Sequence, residues 1–197
     1  MSGPSAAPAP ADPGVPDRGV RPPRLAGLLI AVAAGTLVSV GLGVYGRAHE
    51  PAFFAFNVAG FSSGTAAKAW LATIAFLLAL VQLVSAMVMY GRIRVAAPSW
   101  IGGLHRWSGR VAVLVTVPVA VHCLYALGFQ GGEPRVLVHS LAGCLFYGAF
   151  VAKMLVLTRP DAPRWALPAV GGAVFTLLTA LWFTSSVWFF GTSGLSF

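Results

Sequence analysis

Charged side chains are scarce in this chain of 197 residues, of which 9% are Asp, Glu, Lys or Arg and 57% are apolar. That ratio leaves too little polar surface to coat a water-soluble domain. Acidic residues are the rarest charged group, with five Asp and Glu against 13 Lys and Arg. The composition therefore predicts a protein that resides in a lipid bilayer, and it leaves a positive excess to be explained.

Several other features are absent, and each absence excludes a class of protein. No G-x-G-x-x-G follows a predicted strand, so the fingerprint of a nicotinamide or flavin site is lacking. No internal repeat and no charged pair at mid-membrane depth is present, which disfavours a transporter. No convincing A-x-A cleavage site follows the first apolar run, which we therefore interpret as a retained anchor and not a signal peptide.

Long apolar runs dominate what is present. A helix needs roughly 20 apolar residues to cross the hydrocarbon core. Five stretches meet that length, at about 25–45, 66–92, 105–127, 136–157 and 165–190. The sequence thus predicts an all-α integral membrane bundle of five transmembrane helices over residues 24–197. Residues 1–23 are rich in Pro, Ala and Gly, and predict a disordered cytoplasmic tail.

The basic residues predict an orientation, because cytoplasmic loops retain Lys and Arg. Three of them fall on one side of the five spans (Arg47, Lys68 and Arg135). The other ten fall on the opposite side (Arg18, Arg21, Arg24, Arg92, Arg94, Arg106, Arg110, Lys153, Arg159 and Arg164). We therefore expect the N-terminus inside and the C-terminus outside. This pattern explains the net charge of +8 without a nucleic-acid partner.

Two histidines fall at matched depth in consecutive spans. His122 lies about five residues before the third span ends, roughly 8 Å below the outer rim, and His139 lies about three residues after the fourth begins. The connection between them, Gly128-Phe-Gln-Gly-Gly-Glu-Pro-Arg135, is short, and short connections favour antiparallel neighbours. We expect the two imidazoles to approach one another across a helix interface, with the helix bend at Pro118 aiming His122.

The surroundings of these histidines favour a cofactor. Gly143 lies one turn below His139 and leaves room for a flat macrocycle. Arg135 and Lys68 lie at the same face, where either cation could pair with the carboxylates of a ligand such as haem propionates. Ionisable residues at this depth are functional by default. Haem ligation by His122 and His139 is the favoured interpretation, with structural hydrogen bonding, or a metal or proton-relay role, as the alternatives.

The remaining candidate residues, two cysteines and one histidine, give less indication of a function. Cys123 and Cys144 would lie roughly 9 Å apart along the helix axes, too far for a disulfide, and neither thiol completes a compact zinc or copper site with the histidines. We interpret both as buried hydrophobes. His49 follows the first span, and we expect it to be a solvated loop residue, with a role as an alternative haem ligand as the less favoured interpretation.

A family resemblance rests on three stretches. Leu104-His-Arg-Trp-Ser-Gly-Arg110, then His122-Cys-Leu-Tyr125, then Val138-His-Ser-Leu-Ala-Gly143 resemble the helix pair of cytochrome b561 and ferric-reductase-like membrane proteins. They are closer still to an uncharacterised group of five-helix actinobacterial membrane proteins. The resemblance covers the second to fifth spans, about two-thirds of the chain. It implies a b-type haem held by histidines of neighbouring helices, with electron transfer as the activity.

The chain departs from that family pattern at its inner face. The resemblance implies four histidines and two haems, one haem near each face, whereas the inner face here carries only His105. His105 lies roughly 25 Å along the axis from His122, and therefore cannot share the outer site. A second haem with His and Met ligands is a weaker alternative. We expect His105, with Arg106 and Arg110, to lie at the inner headgroup level, where the group holds the helix end or contacts an anionic lipid, a quinone headgroup or a partner.

The sequence therefore predicts a multi-pass protein of a bacterial plasma membrane with one bis-histidine b-type haem near the outer face. It would be an electron-transfer subunit of an oxidoreductase, exchanging electrons with a quinone or a redox protein and not catalysing a reaction alone. The competing hypothesis is a cofactor-free scaffold or assembly subunit of a larger membrane complex, in which His122 and His139 hydrogen-bond neighbouring helices.

Overall fold

The computed structural model describes residues 25–53 and 60–196, and helices are the only regular structure within them. The helices are α1 (Leu25–Ala48), α2 (Gly64–Met89), α3 (Ile101–Val121), α4 (Pro134–Leu157), α5 (Ala166–Trp182) and α6 (Trp188–Ser193). Two π-helices interrupt the regular turns, π1 (His122–Leu127) after α3 and π2 (Phe183–Val187) between α5 and α6. The chain thus builds five spans long and apolar enough to cross a membrane, which confirms the all-α prediction and the number of spans. The predicted tail lies outside the described residues.

Local sequence explains where the spans begin and end. The Ser63 hydroxyl caps α2 by accepting from the Ala66 N–H at 3.1 Å, and Gly91, with φ of 65°, follows the end of that helix. Pro134 occupies the first turn of α4, where a missing N–H costs nothing. The third span begins at Ile101, four residues before the predicted start. Pro118 does not end this helix, and the backbone widens into π1 four residues later.

Small residues bring α1 and α4 together along their length. A methyl group added to Gly148 would overlap the Ser39 hydroxyl and the Gly35 carbonyl, and one added to Gly35 would overlap the Gly148 carbonyl. Such close backbone approach is the usual means of helix association in lipid, where the hydrophobic effect contributes little between helices. Glycine is therefore required at both positions of this crossing, because a side chain would overlap the facing helix.

The five spans pack as a chain of neighbours, in the order α1, α4, α5, α2, α3. We call the end where α1 begins the N-terminal end of the bundle and the end where α1 finishes the C-terminal end. Near the C-terminal end, α5 and π2 are tied to α2 by two hydrogen bonds, from Ser186 Oγ to the Ala69 carbonyl at 2.9 Å and from Trp182 Nε1 to Thr73 Oγ1 at 3.1 Å.

Consecutive in sequence, α3 and α4 are antiparallel but do not pack closely against one another. This differs from the expected direct interface. Instead α3 packs against α2, whereas α4 packs against α1 and α5, so a gap remains between them. The candidate site occupies the part of this gap nearer the C-terminal end.

Candidate functional site

A cavity of about 320 Å³ lies in the gap, enclosed mainly by residues of α2, α3, α4 and α5. Its walls are mostly apolar, including Leu178 and Leu181 of α5 and Phe146 of α4. The volume is within the range of small-molecule sites, and an apolar wall with a few polar groups is their usual composition. The cavity is therefore the natural place to look for the predicted cofactor residues.

Four of the five predicted cofactor residues line this cavity. They are Lys68, Arg135, His139 and Gly143. His122 does not line it, although the side chain is buried, with 6% exposed. The side chain that lines the cavity at that level is the next one along π1, Cys123, because one helical residue turns the side chain by about 100°.

His139 is held by Thr184 of π2. Its Nδ1 lies 3.0 Å from Thr184 Oγ1, and the Thr184 hydroxyl donates to the Ala180 carbonyl at 2.7 Å. A hydroxyl has one hydrogen, so when Thr184 donates to the Ala180 carbonyl it accepts from His139, and Nδ1 carries the proton in that arrangement. The lone pair of the imidazole is then on Nε2, which makes no hydrogen bond to the described residues. Histidines that bind a metal through one nitrogen commonly donate from the other to a fixed acceptor, and His139 with Nδ1 protonated would meet that condition.

Arg135 is engaged by its surroundings. Its guanidinium donates to the Thr184 carbonyl at 2.8 Å, lies over the Trp188 ring with 4.0 Å to the centroid, and is 3.8 Å from the Glu133 carboxylate. Arg135 thus contacts the same π2 residue that holds His139. It positions the end of α5, and a ligand carboxylate would have to share the guanidinium with these groups.

Lys68, in contrast, has no carboxylate partner among the described residues, whose one ion pair is between Arg135 and Glu133. The side chain is half-buried at the cavity wall, close enough for its charge to act on His139 and Cys123. An apolar environment makes an uncompensated ammonium unfavourable, so a bound anion would stabilise this cation.

Gly143 opens the cavity beside α5. A methyl group added there would meet only Leu181, with 3.8 Å to its Cδ2, which is an ordinary contact. Unlike Gly148, Gly143 is not required by helix packing. Deeper in the cavity, the Tyr147 hydroxyl donates to Thr116 Oγ1 at 3.0 Å and joins α4 to α3. This hydrogen bond lies two turns from His139 toward the N-terminal end and forms the floor.

His122 begins π1, next to the segment that follows α1. In that segment the Phe53 N–H donates to the Ala126 carbonyl at 3.1 Å, so the segment covers part of the π-helix. His49 stacks between Tyr45 and Tyr125, with ring centroids 5.2 Å and 4.7 Å away, and its Nε2 is buried. The expectation of a solvated His49 is therefore wrong, because the loop folds back onto π1.

His105 lies at the other end of the gap, in a polar cluster between α2 and α3. Its Nδ1 is 2.8 Å from Ser85 Oγ, and its carbonyl accepts from Gln82 Nε2. The same amide donates to Ser108 Oγ at 2.8 Å. The adjacent basic residues point elsewhere, since Arg106 is exposed.

Arg110 is also exposed and lies over the Trp107 ring, with 5.0 Å to its centroid. The cluster around His105 thus includes neither of the two arginines predicted to act with it. The two cysteines are free thiols. Within residues 25–53 and 60–196, no three His, Cys, Asp or Glu side chains converge as a site for a metal ion.

The sequence pointed to His139, Gly143, Lys68 and Arg135, but it missed Thr184 and the π-helix that carries it. Widened turns of this kind are frequent at functional sites. The hydroxyl residues of the last span, Thr184 among them, are visible in the sequence, but their pattern gives no sign of the wider turn at π2.

The family model described as "Family of unknown function (DUF6529)" matches residues 28–197, and the chain belongs to that family. No curated protein matches the chain, and no solved structure does.

Proposed function

We propose that this member of the DUF6529 family is a membrane electron-transfer subunit that binds one b-type haem in the cavity between α3 and α4, with His139 as an axial ligand. The observation that carries the proposal is the contact of His139 Nδ1 with Thr184 in a side chain that lines the cavity. When the Thr184 hydroxyl donates to the Ala180 carbonyl, it accepts from Nδ1, and the lone pair is on Nε2.

The chemistry of the walls also supports haem. Leu178, Leu181 and Phe146 supply apolar contacts, and Gly143 leaves a recess that a side chain would fill. Lys68 supplies a cation that no carboxylate of the described residues pairs, as a propionate-bearing ligand requires. The haem, when bound, would supply reversible one-electron chemistry, while the chain supplies ligation, low polarity and charge pairing.

His122 remains the second ligand predicted by the sequence, and the described geometry gives it less support than His139. It is buried at the start of π1 and does not line the cavity. The two histidines thus make different contributions to the proposal. His139 is already presented to the cavity, whereas His122 would have to turn toward it when the cofactor binds.

The wider role follows from the position of the cavity near one end of the bundle. One cofactor there does not by itself connect the two faces, so a quinone, a redox protein or a larger membrane complex would have to exchange electrons with it. We place the C-terminal end outside a bacterial plasma membrane, because the end rich in Lys and Arg is expected inside.

A cofactor-free scaffold is the second candidate, and the contact between His139 and Thr184 favours it as well. That hypothesis expects membrane histidines to bond Ser, Thr or carbonyl groups of a neighbouring helix, and His139 does bond Thr184 of the last span. It leaves the Nε2 lone pair and the open wall at Gly143 without a role.

Absorption spectra of the purified protein separate the two hypotheses. The protein in detergent, oxidised and then reduced with dithionite, should show a Soret band with sharp α and β bands. His139→Ala should lose the chromophore while keeping its elution volume and helical circular dichroism, and His49→Ala serves as the control histidine. A colourless protein that haem cannot reconstitute would contradict the proposal and leave the scaffold hypothesis. His122→Ala then reports whether the second predicted ligand is used.

A further inference from the structure

Helix geometry places a second pair of polar side chains in the same gap, toward the N-terminal end. His105 precedes Cys123 by 18 residues, which is five full turns, so it lies on the face of α3 that lines the cavity. Lys153 follows His139 by 14 residues, about 40° from the same face of α4. Lys153 is close enough for its charge to act on His105. The two side chains therefore face the same space from opposite helices.

His105 contacts a hydroxyl in the same manner as His139. Ser85 Oγ lies 2.8 Å from Nδ1 of His105 and 2.7 Å from the Val81 carbonyl, to which it can donate its single hydrogen. In that arrangement Nδ1 of His105 is the donor, and Nε2 carries a lone pair. Gln82 holds the His105 carbonyl, so the backbone at this residue is also fixed. The ring is thus prepared to accept a hydrogen bond through Nε2.

Lys153 is a cation without an ion-pair partner in the described part of the chain. It is half-buried, and among residues 25–53 and 60–196 no carboxylate forms an ion pair with it. The nearest acidic residue along the described sequence is Asp161, in the loop after α4. Because an unpaired ammonium beside an apolar helix bundle is unfavourable, a ligand that brings a negative charge would be stabilised here.

The depth of the pair matches the level of lipid phosphates. Lys153 lies four residues before the end of α4, and His105 lies four residues after the start of α3, each about 6 Å inside its helix end. With 24 residues, α4 is about 36 Å long, and a hydrocarbon core measures about 30 Å. The pair therefore lies close to the boundary between hydrocarbon and headgroups.

We infer that His105 and Lys153 form a binding site for an anionic phosphate that also carries a hydroxyl group, as in the headgroup of phosphatidylglycerol. Lys153 donates to a phosphate oxygen, and the headgroup hydroxyl donates to Nε2 of His105. Arg106 and Arg110 are not part of this site, because both are exposed away from the cluster. The inference is independent of haem binding, since it involves neither His139 nor the cavity.

Lipid retention measured by native mass spectrometry tests the Lys153 contact. Protein carrying bound phosphatidylglycerol should lose it on Lys153→Met, with about fivefold less lipid retained, as expected for one cation near the membrane surface. Lys153→Arg should retain the lipid. Arg94→Met is the matched control, because it removes one exposed positive charge from the loop between α2 and α3, at the same end of the bundle. Equal loss in the Lys153→Met and Arg94→Met variants would overturn the site.

Phosphatidylmethanol isolates the contribution of His105, because it carries the same phosphodiester charge without a headgroup hydroxyl. The wild-type protein should prefer phosphatidylglycerol over phosphatidylmethanol, and His105→Leu should abolish that preference while keeping the dependence on Lys153. Lack of any preference in the wild type would contradict the role of Nε2.

Inorganic phosphate distinguishes a lipid from a soluble ligand. If the site takes a lipid headgroup, millimolar phosphate leaves the bound phosphatidylglycerol in place. The alternative is that phosphate displaces phosphatidylglycerol from the wild-type protein and raises the thermal stability of the wild type but not that of the Lys153→Met variant. The site then takes a soluble phosphate compound with the same chemistry. Retention of phosphatidylcholine equal to that of phosphatidylglycerol would refute an anion site of either kind.

Discussion

Replacing Thr184 by valine should weaken haem binding although Thr184 does not coordinate iron. Valine keeps the branched shape but lacks the oxygen that accepts from Nδ1 of His139 at 3.0 Å. The Nδ1–H would then be left without an acceptor, or the ring would turn to find one and move Nε2 away. Both outcomes make the lone pair less available to a metal.

The size of the effect follows from the position of Thr184 behind the ligand. Loss of the hydrogen-bond partner of a metal-binding histidine typically reduces metal affinity 10- to 100-fold, which corresponds to about 1.4–2.8 kcal/mol. Thr184→Ser keeps the accepting oxygen and should bind haem within about threefold of the wild type. The hydrogen bond from Arg135 goes to the Thr184 backbone carbonyl, so neither substitution of the Thr184 side chain removes it.

Haem titration of the apoprotein, followed at the Soret band, measures this affinity. Thr179→Val is the control, since the Thr179 hydroxyl donates to the Phe175 carbonyl of its own helix at 2.8 Å and bonds no imidazole. The reasoning would be refuted if Thr184→Val bound haem as tightly as Thr179→Val. It would also be refuted if Thr184→Ser were as weak as Thr184→Val, because the loss would then come from packing and not from the hydrogen bond.

Three further predictions concern stability and ligand charge. Gly148→Ala should destabilise the bundle by about 1–3 kcal/mol, because the added methyl group overlaps α1. Gly143→Ala should be neutral or stabilising by up to about 1 kcal/mol. Thermal unfolding in detergent compares the two variants, and equal losses of stability would contradict the packing argument. Lys68→Met should lower the affinity for haem and leave the absorption spectrum unchanged, since it removes the proposed partner of a propionate and not an iron ligand. A changed α band would argue against a propionate-binding role for Lys68. Gln82→Leu should cost about 1–2 kcal/mol in the same unfolding assay, because it removes the bonds that join α2 to α3, and an unchanged midpoint would show that these bonds contribute little.

The number of spans was predictable because it depends on properties that act locally along the chain. Each run of apolar residues in the sequence became one membrane-length helix, since a backbone in lipid must satisfy its own hydrogen bonds. Some helix ends also followed local signals, such as the hydroxyl of Ser63 and the proline at position 134. The largest difference was at the start of α3, which lies four residues before the predicted position and has no side-chain cap.

The sequence predicted only part of the site, because only some of its features depend on a single helical segment. Depth in the membrane follows from counting residues along a helix, and this brought His139, Gly143, Lys68 and Arg135 to one cavity. Rotation about the helix axis depends on which helices become neighbours. Because α3 packs against α2 and not against α4, Cys123 lines the cavity and His122 does not.

By itself, the sequence determined a membrane-embedded helical bundle and the depth of each polar side chain, because hydropathy and helical rise are properties of a single segment. Only the tertiary structure decided that a gap separates α3 from α4, that His139 contacts Thr184 of π2, and that His105 contacts Ser85 of α2. These features depend on the order in which the spans pack and on the widening of the backbone at π1 and π2. Contacts between segments produce both, and no single segment encodes them.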